Sequence, residues 1–103
     1  MPIHEIEQIR NKFVDKFSPL KIYLFGSFAT GTANNESDFD FYIVVKDGTE
    51  NLVDLTAEAY KSIRDVRSRS VDIIIGTESS FESKKYKYGI EHEVMNKGVL
   101  LYG

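Results

Sequence analysis

"FGSFATGTANNESDFDFYIVV", residues 25–45, decides how this chain is read. It opens at Gly26-Ser27, runs through small and polar residues, and sets Asp38 and Asp40 at the mouth of an apolar strand. Aspartate is a poor strand former, and an ionised carboxylate is costly to bury alone. Strand side chains alternate, so Asp38 and Asp40 share one face while Phe39, Phe41 and Ile43 share the other. A third acid, Asp72, interrupts another apolar run, "VDIIIG" at 71–76, and joins the pair if the two strands are neighbours.

Two carboxylates about 4 Å apart repel by about 4 kcal/mol at an effective dielectric of about 20. A hard divalent cation such as magnesium relieves that repulsion, because it takes oxygen ligands and completes its shell with water and substrate phosphates. A pair of such ions can activate an attacking oxygen and stabilise a leaving pyrophosphate oxygen during in-line displacement. Gly26-Ser27, closing one strand and opening a helical turn, offers close backbone approach, N–H donors and a hydroxyl to the same phosphates. The plainer alternative makes Asp38 a turn or cap residue and Asp40 an edge-strand charge. Asp72, inside a run of branched residues, fits that alternative less well, since an unpaired charge there is hard to keep.

Outward from this stretch, residues 3–17 place Ile3, Ile6, Ile9, Phe13, Val14 and Phe17 at helical spacing, with Pro19 beyond the end. "KIYLFG" reads as a buried strand, residues 28–33 as a helical turn, "TANNES" as loop and "FDFYIVV" as the second strand. Residues 51–67 predict an amphipathic helix, with Asn51 as its cap and Lys61, Arg64 and Arg67 towards its C-terminal end. "VDIIIG" is the third strand. The following segment shows a capping-box pattern from Ser79 to Glu82 and ends at Gly98, with Gly89 as a break between one or two helices. "VLLY" closes the chain as a short strand. The expected class is an α/β or α+β sandwich, a small mixed sheet with helices packed on it.

The totals agree with one domain over residues 1–103. The chain is 42% hydrophobic and 28% charged with two prolines, an ordinary globular composition. With no cysteine it can hold neither a disulfide nor a thiolate metal site. No apolar run nears the length of about 20 residues a membrane helix needs, and the N-terminus lacks signal-peptide form, so the expected location is cytoplasmic. A net charge of −3 argues against a broad nucleic-acid-coating surface. "SKKYKYG", residues 83–89, reads as a solvated helix face with aromatic anchors before it reads as a nucleotide or RNA surface. His4 and His92 lack metal-ligand spacing. Tyr60, Tyr86 and Tyr88 are expected to be buried or half-buried.

Gly26-Ser27, ten intervening residues, Asp38-Phe39-Asp40 and the later acid in "VDIII" together resemble the signature of the minimal nucleotidyltransferases (MNT) of the DNA polymerase beta superfamily. The resemblance extends from the leading helix to an ending similar to the family's "E…GVLLY" tail. It implies a nucleotidyltransferase fold that uses ATP or another NTP with magnesium, two ions in the usual case. It implies that Asp38 and Asp40 hold the metals, that Asp72 is the third metal-site carboxylate and orients or deprotonates the acceptor hydroxyl, and that Gly26, Ser27 and Ser37 meet the triphosphate. Bacterial and archaeal members of this kind are often encoded beside a HEPN-domain toxin, and the resemblance implies an antitoxin that transfers AMP to a tyrosine of such a partner. Many relatives carry an arginine where this chain has Thr30, which leaves Arg64, Arg67, Arg69 and Lys84 as substitutes. Two other readings stay open: a catalytically weak, binding-only antitoxin, and a transferase acting on a small hydroxylated molecule, which would need an extra domain or a dimer-built pocket. A homo- or hetero-oligomer is compatible with each.

Overall fold

A computed structural model describes residues 2–103. The chain begins with helix α1, Ile3–Phe17, whose Ile6, Ile9 and Phe13 form the buried stripe expected from their spacing. Ser18 takes a left-handed conformation, φ 46°, and its N–H donates to the Val14 carbonyl, ending the helix just before Pro19. Strand β1, Lys21–Phe25, leads through Gly26 into the single turn α2, Ser27–Thr30. Strand β2, Phe39–Val45, helix α3, Leu52–Ser62, and strand β3, Val71–Thr77, follow. Helices α4, Glu78–Lys84, and α5, Ile90–Lys97, precede strand β4, Val99–Tyr102.

The four strands make one mixed sheet in the order β3-β2-β1-β4. β1 is antiparallel to both β2 and β4, whereas β2 and β3 run parallel and are joined through α3. This is the α+β arrangement expected from the element order. On one face, Ile22, Leu24, Phe39, Phe41, Ile43 and Ile73 pack against α1, Ala59 of α3 and Phe28 of α2. Phe13 meets Phe41 edge-on at 5.5 Å, within the favoured range for aromatic pairs. The opposite face carries a smaller cluster in which Phe25, Tyr42 and Val44 are covered by Phe81 of α4 and Val94 of α5.

Several local expectations are corrected. α3 stops at Ser62 instead of reaching Arg67, because Ile63 leaves helical geometry at φ −109° to become fully buried in the core. Asn51 stands at the start of α3 but makes no side-chain cap, since its backbone is itself left-handed at φ 56°. Thr77, not Ser79, caps α4: its hydroxyl accepts from the Ser80 N–H. The segment around Gly89 resolves into two helices.

Candidate active site

Register places the acids. Phe25 at the end of β1 pairs with Asp40, and Asp40 pairs with Asp72 across the parallel β2–β3 ladder. Alternation turns Asp40 and Asp72 to the same face as Tyr42, the face covered by α4 and α5. Asp38 lies just ahead of β2 and is exposed, as is Asp72, while Asp40 is half-buried. The exposure of Asp72 corrects the expectation that it is hard to keep among branched residues. It occupies the outward-facing position of an alternating strand, between buried Val71 and Ile73.

The carboxyl of Asp40 responds to this crowding. Burial first, then the charges of Asp72 and Asp38, a hydrogen bond with Asp72 and the charge of Glu93 push it up from 3.8 to about 6. Its dominant acidic neighbour is therefore Asp72, brought in by the sheet, rather than Asp38, two residues away in the chain. Glu93, in the first turn of α5, belongs to the same electrostatic neighbourhood and was not singled out from sequence. Only its place in an "EHEV" run before the tail could have hinted at this. Among the described residues, no three carboxylate or imidazole side chains stand close enough to hold a metal between them as they are. The donor set is nevertheless all oxygen and its excess negative charge is the kind a hard divalent cation neutralises.

Gly26 forms the facing wall. Its φ of +73° lies in the left-handed region, and a Cβ there would collide with the Asp40 carboxylate. The carboxylate thus rests on bare backbone, beside the start of α2. Ser27 is half-buried in the first position of that turn. The Thr30 hydroxyl is spent within the same turn, near the carbonyls of Gly26 and Ser27 and 3.0 Å from the Thr32 hydroxyl. Ser37 is folded back into its own loop, its hydroxyl accepting from the Asn34 N–H at 2.9 Å. Its carbonyl accepts from Arg69 Nη1 at 3.2 Å.

Of the cations considered as substitutes for the missing arginine, Arg69 is the one that reaches this region, on the far side of the loop from Asp40. Its guanidinium sits 5.0 Å from the ring centres of both Phe28 and Phe39. It also walls a cleft of about 300 Å³ bounded by Phe28, Gly31, Ala33, Asn34 and Asn35. Tyr86 and Tyr88 are 76% and 101% exposed, which corrects the expectation of half-burial; their rings meet neighbours at the surface, Lys85 at 5.2 Å and His92 at 5.9 Å respectively. Tyr60 is exposed as well, at 38%, but its hydroxyl is engaged, accepting from the Ile73 N–H at 3.0 Å. No described helix is long and apolar enough to cross a membrane.

Comparison with known proteins agrees with this geometry. Among curated proteins none matches the sequence. A crystal structure from Sulfolobus solfataricus, described as a candidate nucleotidyltransferase, is similar at 24% identity and TM-score 0.64, over 94% of this chain and 76% of that one. A toxin–antitoxin structure with AMP-PNP is similar at 22% identity and TM-score 0.65, over 96% and 73%. A toxin–antitoxin MntA-HpeT mutant, Y104A, is similar at 22% identity and TM-score 0.64, over 95% and 72%. At these identities the likeness is one of fold. The model of the nucleotidyltransferase domain matches residues 6–100, which takes in the whole sheet up to β4, the Gly26-Ser27 turn and all three aspartates. The chain therefore belongs to the nucleotidyltransferase domain family and is a nucleotidyltransferase.

Proposed function

We propose that this chain transfers a nucleoside monophosphate, AMP from ATP in the leading case, to a hydroxyl of a partner protein, and that it acts in the cytoplasm as the antitoxin of a HEPN-type toxin. The observation that carries the reading is the in-register pair Asp40–Asp72 opposite the bare backbone of Gly26. This is a compact acidic wall seated on a backbone position that excludes side chains, and a triphosphate laid along the start of α2 would meet the acids there. Asp38, Asp40 and Asp72 are the residues that would hold magnesium, two ions in the fullest arrangement. Bound there, the metal offsets their charge and that of the phosphates. Gly26 and Ser27 receive the triphosphate through backbone N–H groups and the Ser27 hydroxyl, and Ser37 joins them once its hydroxyl is released from Asn34. Asp72, the more exposed acid, takes the proton of the acceptor hydroxyl. The acceptor oxygen bonds to the α-phosphorus as the bond to pyrophosphate breaks.

Similarity to toxin–antitoxin structures, one of them holding AMP-PNP, supports the choice of nucleotide and of a protein acceptor. The test is to incubate the protein with magnesium, labelled ATP and the protein encoded by the adjacent reading frame. A mass gain of one or more AMP units on that neighbour is expected. A binding-only antitoxin is favoured by one feature, the Thr30 hydroxyl turned into its own helical turn where many relatives offer an arginine. Tight complex formation without transfer, unchanged by Asp38→Asn and Asp40→Asn, would establish that reading instead.

A further inference from the structure

We propose that Arg69 is the positioning residue of the site, a brace behind it that holds the Asp38–Asp40 segment in register with the Gly26-Ser27 turn and with the start of β3. The inference rests on the nucleotidyltransferase reading of Asp38, Asp40 and Asp72, and it assigns Arg69 no contact with substrate. Its side chain reaches across the chain to the loop ahead of β2, where Nη1 donates to the Ser37 carbonyl at 3.2 Å, one residue before Asp38. The guanidinium lies 5.0 Å from the rings of Phe39, between Asp38 and Asp40, and of Phe28, next to Ser27. Those two rings themselves pack at 4.8 Å. The backbone beside Arg69 completes the set: the Ser70 carbonyl accepts from the Phe39 N–H at 3.1 Å, and β3 with Asp72 begins at the next residue. One side chain thus touches the immediate neighbours of Ser27, Asp38 and Asp40, and the backbone next to it joins β2 to the segment that leads to Asp72.

The chemistry suits arginine alone among the side chains. A planar guanidinium can lie against two aromatic rings and still donate in its own plane, whereas an ammonium cannot do both. Its Nε is buried with no hydrogen-bond partner, so the group is held by ring contacts and the Ser37 bond rather than by a saturated polar network. The cleft it walls lets the 31–37 loop move away once the guanidinium is gone. Loss of the brace would therefore displace Asp38 and Ser37 relative to Asp40 without opening the main core.

The test compares wild type, Arg69→Lys and Arg69→Ala by three measurements: hydrogen exchange over residues 31–40, thermal midpoint, and the magnesium dependence and kcat/KM split of ATP turnover. Expected in both variants is faster exchange confined to 31–40. A higher magnesium half-saturation and a kcat about tenfold to a hundredfold lower are also expected, as is usual for residues that orient metal ligands. Lysine should rescue the midpoint more than the magnesium response. The inference is overturned if Arg69→Lys equals wild type in exchange and magnesium response, or if activity in both variants falls only as far as the folded fraction does. Should wild type itself fail to bind magnesium with ATP, the function proposed above falls. The brace is then decided by exchange alone: unchanged protection over 31–40 overturns it.

Discussion

Asp40 is held at a cost. Below pH 3.8 its carboxyl is protonated in folded and unfolded chains alike; between 3.8 and about 6 the folded chain keeps the proton and the unfolded chain releases it. Its contribution to stability is therefore present at low pH and is lost as pH rises through about 6, in the absence of a cation. Asp40→Asn should flatten this dependence and stabilise the ligand-free protein near neutrality by about 1 kcal/mol, after discounting the shift for solvent screening. The same change should abolish transfer, so a urea titration at pH 7 set against a turnover assay tests both halves. A stabilised, inactive protein is the expected outcome, the usual trade at a site kept for chemistry. Gly26→Ala should cost about 1–3 kcal/mol from its left-handed backbone alone. It should cost more than that because of the Asp40 contact, and a double-mutant cycle with Asp40→Ala should return that excess as a favourable coupling.

Helix α5, on the site face, is pinned to the sheet by a polar contact. The hydroxyl of Tyr42, a residue 1% exposed, donates to Glu91 Oε2 at 2.9 Å and ties the start of α5 to the centre of β2. Burial and the Glu91 carboxylate together push the Tyr42 phenol well above its usual range, so it stays a donor throughout the working pH range. Tyr42→Phe should cost about 1.5–3 kcal/mol, the scale of a hydrogen bond to a charged group. Faster amide exchange in residues 90–97 should accompany it, with α1 and α3 unaffected. Elements of this kind also mark the limit of what a sequence tells. The strands and α1 are legible because burial imprints a period on them, and Asp38, Asp40 and Asp72 stand out because they break an apolar run. Glu93 and Arg69 break nothing: each is one charge among many on a helix or loop. Their roles come from α5 folding over β1 and from a contact spanning 32 residues between Arg69 and Ser37. The end of α3 departs from its sequence pattern for a similar reason, since Ile63 continues the helical period yet is drawn out of it by the core.

At the level of the whole molecule, a ligand that binds only the folded state adds its binding energy to stability. With magnesium and a non-hydrolysable ATP analogue at a hundred times the dissociation constant, the expected gain is about 2.7 kcal/mol. Calorimetry should show a raised midpoint for wild type and none for the Asp38→Asn/Asp40→Asn double variant. The 24% identity or less to similar solved structures, against a shared fold, fits a chain in which most positions serve packing and few serve chemistry.

The parallel pairing of β2 with β3 also bears on how the molecule comes into being. The antiparallel β1–β2 pair can close over a short stretch of chain, but Asp40 meets Asp72 only after α3 has formed and β3 has crossed back to dock. Such non-local closure is slow, and here it must also drive two like charges together at its first rungs. Refolding without magnesium should therefore slow as pH rises from 4 to 7, and stopped-flow traces of Asp72→Asn should lose that slope. A cell's free magnesium would then act on this protein before any substrate does, by setting the pace at which newly made chains complete their sheet.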